Sequence, residues 1–183
     1  MIEKELKVLL NYTLYKTVLH LFDWDETYTQ INYYYSDNEF LLEQKKICSR
    51  VRVINGEYKL QIKMPVYNNT SLHIKDEYEE KIDELPHYIS SSKLNAITKM
   101  SFDEAYKVGT LTTERRVKSY KDGITICLDK NSYLGIIDYE LEIEFEDNVD
   151  EHLLNLLKKN EINFENTAKG KYSRFMKRLK KQC

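Results

Sequence analysis

The chain has 183 residues, enough for one ordinary domain and short for two independent ones. Hydrophobic residues at 42% and charged residues at 32% describe a globular chain rather than a disordered or membrane-embedded one. The formal net charge of −2 gives no overall basic bias toward nucleic acid, and three widely spaced cysteines, Cys48, Cys127 and Cys183, suggest neither a disulfide framework nor a zinc site.

In chain order, Met1 to Glu5 runs straight into charge without the apolar core of a signal peptide. No later apolar run approaches the roughly 18 residues of a membrane span, so a cytoplasmic location is expected. Glu3 to Leu10 alternates as a strand, and Leu14, Val18, Leu21 and Phe22 then share one helical face. Tyr28 to Tyr35, rich in Thr, Ile and Tyr, predicts a second strand. Ile47 to Ile54 and Tyr58 to Met64 flank Asn55-Gly56, a dipeptide suited to the positive φ values of a tight hairpin.

Lys75 to Ile82 alternates again, and Leu94 with Ile97 predicts a short helix after the serines at 90–92. Leu111 to Tyr120 and Ile124 to Leu128 flank Lys121-Asp122-Gly123, a second hairpin signal, and Tyr139 to Phe145 is a further strand after Gly135. Asp150 is placed as the N-cap of a helix carrying Leu153, Leu154 and Leu157, and a basic helix spans about Gly170 to Lys181. The sum is about eight strands and three or four helices in one α+β domain, residues 1–183.

Successive strand side chains point to opposite faces, so each strand can be split into two. Glu3, Glu5 and Lys7 share one face against Leu6 and Val8. Arg50 and Arg52 oppose Val51 and Val53, and Lys59, Gln61 and Lys63 oppose Leu60 and Ile62. Glu77 and Glu79 share a face, as do Thr125 and Asp129, while Glu140, Glu142 and Glu144 oppose Leu141, Ile143 and Phe145.

A single such strand is usually half-buried with a solvated charged face. Recurrent Arg-x-Arg and Glu-x-Glu pairs argue for more, because a solvated face accepts almost any polar residue. Glu-x-Glu places two carboxylates about 7 Å apart, a hard-oxygen arrangement suited to Mg²⁺ or Mn²⁺. Arg50 and Arg52 offer planar forks for phosphate oxygens, with Lys7 and Lys63 as point charges on the same ligand.

These residues resemble the CYTH family, the triphosphate tunnel metalloenzymes, over nearly the whole chain. Glu3-x-Glu5-x-Lys7 looks like that family's opening signature. Arg50-x-Arg52, Lys63, Glu77-x-Glu79, Arg115, Asp129, Glu140-x-Glu142 and Lys169-x-Lys171 follow in order. The likeness is strongest to small bacterial members often labelled adenylate cyclases.

The resemblance implies a closed eight-stranded antiparallel β-barrel with helices outside. Its tunnel would hold a triphosphate on Lys7, Arg50, Arg52, Lys63, Arg115, Lys169 and Lys171. Glu3, Glu5, Glu77, Glu79, Asp129, Glu140 and Glu142 would hold one or two divalent cations, with Glu3, Glu5 and Glu142 as the catalytic set. Thr113 and Arg115 share a face, so Arg115 rather than Arg116 is expected inside, and Glu144 at the rim.

The expected activity is metal-dependent hydrolysis of inorganic, organic or nucleoside triphosphates. Adenylate cyclase chemistry and a non-catalytic polyphosphate- or nucleotide-binding module are the alternatives. The expected partner is a triphosphate-containing small molecule, with no nucleic acid and no membrane, and a homodimer is compatible with this reading.

No P-loop or dinucleotide-binding glycine fingerprint occurs. His20, His73, His87 and His152 lack zinc-site spacing, and Cys48 and Cys127 read as small strand residues. The Tyr33-Tyr34-Tyr35 run reads as packing rather than a base-stacking platform.

Overall fold

The computed structural model describes residues 2–65, 73–121, 123–164 and 169–182, with side chains described from residue 4 onward and, after the break at 66–72, from residue 76. In chain order the elements are β1 (Ile2–Leu10), α1 (Tyr12–Leu21), β2 (Glu26–Ser36), α2 (Leu41–Gln44), β3 (Cys48–Ile54), β4 (Glu57–Pro65) and β5 (His73–Ile82). There follow β6 (Tyr88–Ile89), α3 (Ser91–Thr98), β7 (Ala105–Lys121), β8 (Ile124–Tyr133), β9 (Ile136–Phe145), α4 (Glu151–Lys159) and α5 (Lys171–Leu179). None of the described helices is long and apolar enough to cross a membrane.

All pairings are antiparallel, in the order β2-β3-β4-β5-β1-β9-β8-β7-β6. β2 also pairs with β7, so the hydrogen bonding that leaves β2 toward β3 returns to it from β7. The expected antiparallel sheet with flanking helices is therefore present. β7 is the longest of the described strands, pairing with β2 from Tyr106 to Val117 and with β8 from Thr112 to Lys121, so its middle is bonded on both edges.

Local chemistry sets the turns. Asn55 and Gly56 take φ of 50° and 81° and join β3 to β4 with Ile54 opposite Glu57, the mirror-image turn that matches strand twist. Leu134 and Gly135, at 45° and 77°, make the same connection between β8 and β9. Three helices begin on a side-chain cap: Asn11, Ser90 and Asp150 accept from the backbone N–H groups of Leu14, Lys93 and Leu153.

The apolar strand faces are covered by helices. α1 and α4 bring Tyr15, Val18, Leu153 and Leu157 onto Ile126, Leu128, Leu141 and Ile143. α2 and α3 bring Leu42 and Leu94 onto Val51, Leu60 and Ile62. α5 is different. Its Phe175 and Met176 pack on Tyr34, Cys48, Leu111 and Tyr133, so it lies across one end of the opposite, charged face.

Candidate active site

The strand register determines which polar side chains meet. Lys7 stands opposite Glu142, Glu140 opposite Asp129, Asp129 opposite Arg115, and Arg115 opposite Tyr28. On the other side Asn32 opposes Arg52, Arg50 opposes Gln61, Gln61 opposes Glu79, and Lys63 opposes Glu77. Because strand residues alternate in direction, these side chains share one face of the sheet.

Against that face lies a cavity of about 640 Å³. Its lining holds eight cationic side chains, Lys7, Lys46, Arg50, Arg52, Lys63, Arg115, Lys169 and Lys171, against the carboxylates of Glu5, Glu43, Glu142 and Glu144. The imbalance favours an anionic ligand.

Two networks divide the site. In the first, the carboxylates of β8 and β9 converge on cations. Arg115 donates to both Asp129 oxygens at 2.8 and 2.7 Å and also reaches Glu142. Lys171, entering from the first turn of α5, places its ammonium 2.8 Å from Asp129, 2.8 Å from Glu142 and 3.2 Å from Glu140. Arg174, one turn on, bonds Glu140 and Asp138. Asp129 and Glu140 are fully buried, so their charges depend on these partners.

The electrostatics follow. Burial pushes Glu140 up to about 7, against the pull of Lys171 and with the adjacent Glu142 adding to the rise. Burial acts on Glu142 too, but Lys171, Arg115 and Lys7 outweigh it and hold that carboxyl well below its usual range. Asp129 is likewise held low, Arg115 and Lys171 overcoming its burial.

In the second network the cations of β3 and β4 meet mostly neutral or partly exposed groups. Arg50 Nε donates to Gln61 Oε1 at 2.8 Å, and Gln61 Nε2 donates on to Glu79. Arg52 Nε donates to Asn32 Oδ1 at 3.1 Å. Burial, together with the like charges of Arg50 and Arg115, draws Arg52 down to about 10. Lys63 pairs with Glu77 at 3.0 Å, and Lys59 with Glu79 at 2.7 Å.

Of the residues singled out from sequence, Glu5, Lys7, Arg50, Arg52, Lys63, Arg115, Glu142, Lys169 and Lys171 line the cavity together. Glu144 lines it as well and is more exposed than Glu142, at 34% against 8% for the side chain. Asp129 and Glu140 sit behind the lining. Glu77 and Glu79 stand on β5 beside the lysines of β4 rather than with the carboxylates of β8 and β9. The side chain of Glu3 lies outside the described residues. Arg116 turns to the other face and donates to the Tyr15 hydroxyl.

The structure adds residues that the sequence reading passed over. Arg174 and Asp138 complete the acidic network, and Asn32 and Gln61 orient the two β3 arginines. Helical spacing could have flagged Arg174, which lies three residues after Lys171.

No three Asp, Glu, His or Cys side chains among the described residues are grouped as a ready metal cage. The donor chemistry nevertheless suits Mg²⁺, which is commonly held by one or two carboxylates plus substrate phosphates and water. Glu5 and Glu142 supply such oxygens at the cavity wall.

The chain was compared with known families and structures. The CYTH domain family matches residues 1–171. The Bacillus subtilis (strain 168) protein named "Putative triphosphatase YjbK" is 31% identical over 153 residues, covering 80% of this chain and 78% of that one. Among solved structures, a Bacillus halodurans protein named as a putative adenylate cyclase superposes with TM-score 0.70 at 24% identity, covering 94% of this chain and 96% of its own. The Hippeastrum protein HpAC1, described as a putative adenylyl cyclase with a dominant triphosphatase activity, gives TM-score 0.70 at 22% identity, covering 96% and 95%. At those identities the two structures share the fold with this chain.

Proposed function

Because the chain belongs to the CYTH domain family, we propose that it is a metal-dependent triphosphatase whose returning ring of strand pairs forms a closed tunnel around its substrate. The observation that carries this reading is the composition of the 640 Å³ cavity, where an arginine and lysine wall faces carboxylates of β1 and β9. Membership of a family containing a relative named as a triphosphatase supports the same reaction class.

Arg50, Arg52 and Lys63 would grip the phosphoryl oxygens, their forks and point charge orienting the chain of phosphates along the wall. Arg115, Lys7, Lys169 and Lys171 extend that grip toward the carboxylates. Glu5 and Glu142 would hold Mg²⁺ or Mn²⁺, with Glu3 proposed as a further donor. The bound ion would polarise phosphoryl oxygens and acidify a bound water.

Hydrolysis would join a water oxygen to the terminal phosphorus as the bond to the bridging oxygen breaks. The water's proton would pass to a wall carboxylate not engaged by the ion, leaving orthophosphate and the diphosphate leaving group as products. The charge gathering on the bridging oxygen is stabilised by the arginines.

The test is product analysis with inorganic triphosphate, ATP and thiamine triphosphate, each with Mg²⁺, Mn²⁺ or chelator. Metal-dependent orthophosphate release is expected. Cyclic AMP with pyrophosphate would replace hydrolysis by cyclase chemistry, and tight binding without turnover would leave a binding module. Glu142→Gln should lower metal-dependent turnover by about a hundredfold or more, as expected for losing a carboxylate that acts at the reacting centre.

A further inference from the structure

Asn32 stands directly opposite Arg52 in the β2–β3 register and is fully buried. Its Oδ1 accepts from Arg52 Nε at 3.1 Å, and Arg52 makes no ion pair among the described residues. That setting is the reverse of Arg115, whose guanidinium is met on one edge by both oxygens of Asp129 and again by Glu142. The difference lies in the partner. The Asp129 carboxylate takes two guanidinium N–H groups and offsets the charge, whereas the Asn32 amide oxygen takes one and, being neutral, offsets none of it.

A single bond at Nε fixes the plane of the guanidinium. It also leaves the two terminal nitrogens available for a bidentate contact with a phosphate. Such a cation is expensive to hold without its ligand, since burial and the neighbouring Arg50 and Arg115 already draw its proton affinity down. The rest of the β2 face also carries polar groups that the protein leaves unmatched. Asn32 Nδ2 and both amide atoms of Gln30, the preceding residue on that face, are buried without protein partners. Buried polar atoms are ordinarily satisfied, by ligand or ordered water where protein does not reach them.

We propose that Asn32 is a positioning residue that aims the Arg52 guanidinium at a phosphate group while leaving its charge uncancelled. The proposal rests on reading the cavity as a triphosphate site. It assigns a role to a strand β2 side chain outside the arginine, lysine and glutamate pattern.

The experiment is calorimetric titration with inorganic triphosphate in chelator, where turnover cannot interfere, on wild type, Asn32→Ala, Asn32→Asp, Arg52→Gln and the Asn32→Ala/Arg52→Gln double variant. Loss of one hydrogen bond to a charged group predicts about tenfold weaker binding for Asn32→Ala. Asn32→Asp keeps an acceptor yet should bind more weakly still, because the position must stay neutral. In the Arg52→Gln background the Asn32→Ala change should shift affinity by less than about twofold, as for two residues acting as one unit.

Wild-type affinity in Asn32→Asp would show a merely structural acceptor and overturn the proposal. So would a full Asn32→Ala loss persisting without Arg52. A second measurement needs no ligand: the Arg52 Nε–H resonance should exchange with water markedly more slowly in wild type than in Asn32→Ala. Equal exchange rates would remove the clamp itself, whereas wild type failing to bind triphosphate both in chelator and with Mg²⁺ would instead overturn the substrate assignment, so the two failures are separable.

Discussion

Arg115 and Arg52 reach the same cavity from β7 and β3, one meeting Asp129 and Glu142 and the other the Asn32 amide. Substituting each by glutamine should therefore separate folding from binding. Arg115→Gln leaves Asp129 with Lys171 and Glu142 with Lys171 and Lys7, and breaking a buried pair from one side costs about 3–5 kcal/mol. In a domain of this size that lowers the thermal midpoint by on the order of 10 °C. Arg52→Gln removes a partly buried cation that has no carboxylate ion pair among the described residues, so the midpoint should hold within a few degrees while triphosphate affinity falls about tenfold or more. Thermal unfolding and calorimetry on the two variants check both halves. The residues behind this contrast were unequally legible in the sequence. Charged pairs at period two announce themselves, because nothing in a half-buried strand requires Arg-x-Arg. Asn32 and Gln61 are neutral strand residues whose meaning comes only from the register that sets them beside Arg52 and Arg50.

At the scale of elements, α5 brings Lys171 and Arg174 to the carboxylates only because Phe175 anchors it. Phe175 is fully buried against Tyr34 and Tyr133, with ring centroids 4.8 and 6.1 Å away. The closest approach is at Gly109, where an added Cβ would stand 2.6 Å from Phe175 Cζ. Gly109→Ala should thus lift the helix from the sheet, an overpacking cost of about 1–3 kcal/mol. Its turnover should drop with it, as Lys171 shifts relative to Asp129 and Glu142. If Phe175→Leu in the same chain restored activity by making room, the contact would be identified as the cause; unchanged stability in Gly109→Ala would disprove it. The sequence placed this helix well, at about 170–181 against Lys171–Leu179, and the resemblance gave Lys171 a place in the site, but Arg174 was passed over. It started β7 at Leu111 rather than Ala105, since 105–110 lacks a clear period and contains Gly109. α2 and β6 were missed because four and two residues carry too little periodicity to be seen.

For the whole molecule, the charged face turns ligand binding into a stability term. The cavity lining carries eight cations against four carboxylates, and an anionic ligand would relieve the repulsion among those that carboxylates do not already meet. A ligand that binds only the folded state adds RT ln(1 + [L]/Kd), about 2.7 kcal/mol at a hundredfold excess over Kd. Inorganic triphosphate at that excess should accordingly raise the thermal midpoint by roughly 5–10 °C. The cationic wall and the carboxylate wall occupy different strands, β3 and β4 against β1, β8 and β9. That separation predicts that chelator abolishes turnover yet leaves most of the midpoint shift in place. Arg52→Gln should instead weaken the grip on phosphate itself, needing about tenfold more triphosphate for the same shift with or without chelator. A shift that disappeared with chelator would mean that the cation bridges phosphate to Glu5 and Glu142, and that the arginine wall cannot hold triphosphate without it.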